Sequence, residues 1–303
     1  MSPASSAPTS AAHPADGADR YVVIGHPVTH SQSPFIHAEF ARACGQRLVY
    51  DRLDSPLDAF AATVRDFAAG RGAPAGAGPA RGCNITVPFK FEVLALAARA
   101  TPRAALAQAA NVLRFDADGW LADNSDGIGL LRDITEAAGT PVTGRRVLLI
   151  GAGGAAAGVL GPLLEAGVAE LTLANRTVDK ADALVARHAA LAEAHRCTLR
   201  ATALDAAGEG YDIVINGSAS SLGGAGVPVG PQVLGAGALA IDMMYGAAAR
   251  PFLDWAQAHG ARGRDGLGML VFQAAEAFAL WRGVRPDPLP VLQALRERLA
   301  AQA

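Results

Sequence analysis

An apolar run, Val147-Leu-Leu-Ile150, passes directly into Gly151-Ala152-Gly153-Gly154-Ala155-Ala156, and a helical pattern follows. This is a strand, a tight turn and a helix with the spacing Gly-x-Gly-x-x-Ala. Gly151 permits the turn, Gly153 lets the backbone approach a pyrophosphate, and Ala156 lets the helix pack closely on its strand. The helix start adds unpaired amide donors for phosphate. The segment predicts a dinucleotide-binding unit; a tight turn without a ligand is the plainer alternative. The next strand bears on which dinucleotide. NAD sites usually carry Asp or Glu at its tip. Here Leu171-Thr-Leu-Ala174 runs into Asn175-Arg176-Thr177, with Lys180 one turn on. Arg176, Thr177 and Lys180 can all donate to a 2′-phosphate, so the reading is NADP. Thr177 as a simple helix N-cap is the competing explanation.

The rest of the chain alternates strands and helices. Strands are predicted at 21–25, 48–53, 82–87, 111–115, 146–150, 170–174, 212–215 and 239–242. Helices are predicted at 34–43, 57–69, 89–99, 127–138, 155–166, 178–187, 251–259, 269–281 and 289–300. This order implies largely parallel sheets covered on both faces. At 303 residues the chain has room for about two domains of roughly 150 residues each. Hydrophobic residues make up 51% and charged residues 18%, which excludes disorder for the body of the chain. The net charge of −2 gives no reason to expect nucleic acid or an anionic membrane. Uncharged Val147–Leu164 is broken by Gly and Pro, so no membrane span is predicted. Met1–Asp19, rich in Ala, Ser and Pro, is predicted as a disordered tail, and Gly70–Pro79 as a loop. Three well-separated cysteines, Cys44, Cys83 and Cys197, suit a reducing cytoplasm.

Three clusters carry chemistry. In Asn84-Ile-Thr86-Val-Pro88-Phe-Lys90, strand alternation puts Asn84 and Thr86 on one face. Pro88 is expected to start a helix with Lys90 in its first turn, where the helix dipole would depress the lysine pKa. Lys90 and Lys180 are the only lysines beside 24 arginines. Arginine cannot give up its proton, so a retained lysine suggests proton transfer. In Asp123-Asn-Ser-Asp126-Gly127, Asp126 is an N-cap candidate. In Ser31-Gln-Ser33-Pro34, Ser33 either caps a helix or joins Ser31 in gripping an anion. His26, His30 and His37 lack partners at ligand spacing, so no metal site is expected.

With these residues in place the chain resembles the shikimate dehydrogenase family. The matching pieces are His30–His37, Asn84–Lys90, Ala110-Asn111, Asp123–Gly127, Gly151–Ala155, Asn175–Thr177 and Asp265–Leu270 with Gln273. They occur in family order over about residues 20–300. The resemblance implies an α/β protein of two domains. A tail, 1–19, would precede an N-terminal α/β substrate domain, 20–126. A Rossmann-like NADP-binding domain, 127–266, would follow, and C-terminal helices, 267–303, would return to complete the first domain. It implies substrate binding by Ser31, Ser33, Asn84, Thr86, Asn111, Tyr245 and Gln273, and Lys90 with Asp126 as the catalytic pair. The cofactor would rest on Gly151, Ala152, Gly153, Gly154, Ala155, Asn175, Arg176, Thr177, Lys180, Met243 and Gly266.

The expected activity is the reversible NADPH-dependent reduction of 3-dehydroshikimate to shikimate in aromatic amino-acid biosynthesis, by a cytoplasmic monomer or homodimer. Its partners would be small molecules, not nucleic acid or membrane. Two alternatives stand beside it. One is a quinate/shikimate dehydrogenase using NAD, against which the Asn175-Arg176-Thr177 tip argues. The other is a non-catalytic NADP-binding regulator, which would need no Lys90 and Asp126.

Overall fold

The computed structural model describes residues 17–218 and 226–302. Strands are β1 (Asp19–Gly25), β2 (Leu48–Asp54), β3 (Ala80–Ile85), β4 (Arg99–Ala100), β5 (Val112–Arg114), β6 (Leu121–Asp123), β7 (Arg146–Ile150), β8 (Glu170–Ala174), β9 (Thr198–Thr202), β10 (Tyr211–Asn216), β11 (Leu234–Asp242) and β12 (Arg262–Arg264). Helices are α1 (Ser33–Ala43), α2 (Phe60–Ala68), α3 (Pro102–Ala107), α4 (Asp126–Arg132), α5 (Gly154–Glu165), α6 (Val178–Ala194), α7 (Arg250–Ala258), α8 (Leu267–Arg282) and α9 (Pro288–Ala300).

Two six-stranded sheets result. One has the order β2-β1-β3-β5-β6-β4, the other β12-β11-β10-β7-β8-β9. The second is parallel throughout. Its strands β7 and β10, and the second half of β11 from Ala238, are mostly apolar and buried, as burial on both faces requires. The first is mixed: β1 pairs in parallel with β2 and β3, but β5 runs antiparallel to β3 and β6. The expectation of largely parallel sheets thus holds for the second and not for the far half of the first.

A separate apolar cluster lies on each face. Leu149, Leu160, Leu163, Leu171 and Ile213 pack under α5 on one side of the second sheet, and Val214, Ala240 and Phe252 on the other. Helices α8 and α9 return to the first sheet, where Phe272 and Phe278 meet Ile36 and Phe40 of α1. The remaining face of that sheet packs Ile24, Phe60, Ile85 and Phe89.

Three expectations need correction. The tail does not reach Asp19, because Asp19 opens β1. Its carboxylate accepts from Arg81 at 3.0 Å and from Arg282, which anchors the strand start. Residues 1–16 of that tail lie outside the described residues. The helix expected at 89–99 does not form; a 3₁₀ turn, Glu92–Leu96, stands there instead. The Lys90 carbonyl accepts from Ala110 N–H at 2.8 Å, which takes it out of any helical ladder. Lys90 therefore does not stand in the first turn of a helix of its own. Finally, Asp126 is not an N-cap: it is the first residue of α4, after Ser125.

Candidate active site

The carboxyl ends of β1 and β3 carry the first group of residues. Just beyond β3, Thr86 N–H donates to Ile24 carbonyl at 2.9 Å, which holds the chain beside β1 as it turns toward Lys90. Lys90 Nζ donates to Asp126 Oδ2 at 2.6 Å. The lysine side chain is 11% exposed and the aspartate not at all, so the pair is largely dry. Asp126 Oδ1 accepts from Asn111 Nδ2 at 2.9 Å, and its backbone N–H donates to Asn124 Oδ1 at 3.1 Å. Both carboxylate oxygens are thus aimed from outside α4, which explains why Asp126 does not turn back to cap it.

Asn111 is the junction of the site. Its Nδ2 also lies 2.7 Å from Gln273 Oε1 and 3.1 Å from Ser125 Oγ, while its Oδ1 accepts from Ser125 N–H at 2.8 Å. An amide nitrogen has two hydrogens, so the two shortest contacts, to Gln273 and Asp126, use both. Asn84 Nδ2 donates to the Asn111 carbonyl at 3.1 Å. Tyr50, which sequence reasoning missed, donates its hydroxyl to Asn84 Oδ1 at 2.7 Å. Tyr50 reads as one more apolar strand residue, and only β2 lying beside β1 brings its hydroxyl near β3.

Ser31 and Ser33 lie at the start of α1, where Ser31 Oγ donates to Ser33 Oγ at 3.1 Å. Gln32 occupies the N-cap and no side chain caps the helix. Tyr245 completes this end: burial raises its phenol pKa, while the Gln32 amide and the Arg52 charge pull it down. His37 lies beneath, stacked on Tyr50 at 4.2 Å. Burial pushes its pKa down to about 3 against a weaker pull from Asn84. Neither ring nitrogen has a partner of ordinary hydrogen-bond geometry.

The second group lines the carboxyl ends of β7, β10 and β11, at the point where the strand order reverses. Gly151 has φ +101°, a conformation that side chains disfavour, and a Cβ there would lie 3.0 Å from Ser218 N. A Cβ on Gly153 would meet nothing within 4 Å, so the turn is open above that residue. At Gly154 it would stand 3.0 Å from Lys90 Cβ, so the glycine turn directly faces the Lys90–Asp126 pair. Met243 sits against Gly217, and Gly266 fits only without a side chain, its Cβ falling 2.2 Å from the Met243 carbonyl.

The dinucleotide fits this edge. The first turn of α5 has no capping side chain and opens onto free space at Gly153. Asn175 Oδ1 accepts from Ala152 N–H at 3.1 Å and ties the glycine turn to the tip of β8. Arg176, Thr177 and Lys180 are exposed beyond it. Thr177 is the N-cap of α6, but its hydroxyl makes no capping bond and is free to donate. Among the described residues no carboxylate pairs with Arg176, and the strand tip carries none. That donor set suits a phosphate rather than a ribose hydroxyl. No group of three or more metal-ligating side chains occurs among the described residues.

Comparison with known proteins gives consistent matches. The model of the shikimate dehydrogenase substrate binding domain matches residues 23–113. That of shikimate/quinate 5-dehydrogenase matches residues 133–222, and that of the shikimate 5′-dehydrogenase C-terminal domain residues 266–296. The NADP(+) shikimate dehydrogenase of Methylibium petroleiphilum is 66% identical over 278 residues, covering 92% of this chain and 94% of that protein. The structure of an Ael1 enzyme from Pseudomonas putida is 47% identical, with a TM-score of 0.81 over 92% of this chain and 98% of that one. The shikimate 5-dehydrogenase of Thermus thermophilus, solved with NADP(H) and shikimate, is 32% identical, with a TM-score of 0.75 over 92% of this chain and 98% of that one.

Proposed function

The chain belongs to the shikimate dehydrogenase family, and on that premise we propose how its own residues carry out the family's reaction. The protein is an NADP-dependent oxidoreductase of the shikimate pathway, interconverting 3-dehydroshikimate and shikimate. The observation that carries the residue assignment is the Lys90–Asp126 contact, 2.6 Å long, largely dry, and facing the glycine turn.

NADPH, when bound, supplies the hydride that reduces the ketone carbon. The ketone oxygen becomes an alkoxide and takes a proton from Lys90 Nζ; in the oxidation direction Lys90 receives it. Asp126 holds the lysine through Oδ2 and is itself held by Asn111. Such a placed proton donor is worth about 10²–10⁴-fold. Ser31 and Ser33 hold the substrate carboxylate. Asn84, Thr86, Asn111 and Gln273 fix the ring hydroxyls, and Tyr245 stands beside the two serines, which sets the carbonyl for attack. Gly151, Ala152, Gly153, Gly154 and Ala155 take the pyrophosphate, with Asn175 bracing the turn. Arg176, Thr177 and Lys180 take the 2′-phosphate, and Met243 and Gly266 wall the cleft.

The substrate domain, on this reading, is 20–126 completed by 267–303, and the cofactor domain is 127–266. The chain acts as a monomer or a homodimer. Three free thiols support a cytoplasmic location; no helix among the described residues is long and apolar enough to cross a membrane. The test is shikimate oxidation by the purified protein, followed as reduced cofactor, with NADP and then with NAD. Turnover strongly favouring NADP is expected. Preference for NAD would remove the 2′-phosphate assignment, and no turnover with either would remove the activity.

A further inference from the structure

Arg52 stands on β2 two residues after Tyr50. Side chains alternate across a strand, so the two share one face. From that face Tyr50 reaches Asn84, and Arg52 reaches the β1–α1 turn. Its Nε and Nη2 both donate to the Ser31 carbonyl, at 2.9 and 2.5 Å. The same turn carries the paired Ser31 and Ser33 hydroxyls. The guanidinium also lies close enough to Tyr245 for its charge to be felt at the phenol. Five N–H groups are available on an arginine, and the Ser31 carbonyl engages only part of them.

The charge of Arg52 is not neutralised by a neighbour. Asp54, on the same strand face, is engaged by His26 Nδ1 at 3.0 Å. The Asp51 carboxylate accepts the Arg52 backbone N–H at 2.7 Å rather than its guanidinium. Glu39 is taken by Arg42 at 2.6 Å. Among the described residues no carboxylate lies within ion-pair distance of Arg52. Ser31, Ser33 and Tyr245 are uncharged donors, so any positive charge at this end of the site must come from elsewhere.

We infer that Arg52 determines the preference of the site for an anionic substrate, supplying the positive charge that Ser31, Ser33 and Tyr245 lack. The inference rests on the proposed placing of the shikimate carboxylate at the two serines. Under it Arg52 acts on binding, with its field and its remaining N–H groups directed at the carboxylate beside Ser31.

The test compares shikimate with its methyl ester, which keeps the ring and loses the charge. Arg52→Gln retains a donor for the Ser31 carbonyl. It should raise KM for shikimate about tenfold, the low end for a hydrogen bond to a charged group, with KM for the ester near the wild-type value. Added salt should erode the acid-over-ester preference of the wild type and leave the variant little changed. Arg52→Lys should retain most of the preference. Equal losses on acid and ester would overturn the inference, since Arg52 would then only hold the Ser31 turn. An unchanged KM for shikimate would overturn it as well. The wild-type assay separates the two levels. Absence of shikimate turnover there removes the functional reading and this inference with it; normal turnover leaves the variant to decide the inference alone.

Discussion

Lys90 and Arg176 are both cations in a chain that otherwise favours arginine, but their proposed tasks differ. Lys90 must exchange a proton, and Arg176 must only remain charged. Lys90→Arg keeps the charge opposite Asp126 and cannot release the proton at working pH. It should therefore lower kcat by about 10²-fold or more, the low end of general acid–base effects, while cofactor affinity measured by fluorescence titration persists. A near-normal kcat would reduce Lys90 to a positive charge and move the proton source to Asp126, Tyr245 or water. Arg176→Ala should weaken NADP by about 1–3 kcal/mol, the usual size of a contact to a charged group, and leave NAD nearly unaffected. Equal weakening of both cofactors would show that Arg176 does not read the 2′-phosphate.

At the scale of elements, α4 is the part on which the site depends most. It carries Asp126 and is pressed between α5 and α8. A Cβ on Gly127 would fall 2.5 Å from the Gly158 carbonyl of α5, and one on Gly129 would fall 2.6 Å from Gln273 N of α8. Both obstacles are backbone and cannot swing away. Gly129→Ala should therefore destabilise the fold by about 1–3 kcal/mol, the usual cost of overpacking, and raise KM for shikimate because Gln273 is displaced. A stability and KM equal to wild type would show that the helices separate freely.

Those glycines are visible in the sequence, but their purpose is not. They read as weak points in a helical pattern, because the helices they admit come from distant parts of the chain. The same holds more widely. The strand–turn–helix at 147–156 can be read locally, since each glycine acts on its immediate neighbours. Helix α3 carries an equally local signal, with Thr101 accepting from Ala104 N–H and Pro102 in the first turn, and it is absent from the sequence reading all the same. Strand β12 is Arg262-Gly-Arg264, with no apolar pattern to betray it. The helix expected after Pro88 fails because Ala110 claims the Lys90 carbonyl from a distant part of the chain.

On the scale of the whole molecule, acid should be the condition that loosens it. His37 is buried neutral, with its pKa pushed from 6.5 down to about 3. The unfolded chain binds a proton there as pH falls below 6.5, whereas the folded chain does not until about 3. Folded stability is therefore lost across that window. The carboxylates act later. Burial would raise Asp123, but Arg103, Thr101 and the Asn124 amide outweigh it and hold its pKa low. Its contribution is present above about 4, the ordinary aspartate value, and is lost below that as the carboxylate protonates. His37→Phe should flatten the curve of unfolding free energy against pH between 6.5 and about 3, and chemical denaturation at several pH values would measure it. An unaltered slope would mean that another group governs the window.

The return of α8 and α9 to the first sheet also bears on how the protein is made. Strands β1–β6 leave the ribosome first, but Ile36 and Phe40 obtain Phe272 and Phe278 only when residues beyond 266 have been synthesised. The second sheet, 146–264, lies within one continuous stretch and needs none of those late residues for its own strand pairing. A released chain truncated after residue 266 should thus resist protease in the later sheet while the earlier one is still cleaved; the reverse pattern would refute this order. The half of the molecule that is born first is the last to mature, so synthesis that stops before residue 267 leaves a chain with a finished cofactor platform and no working substrate pocket.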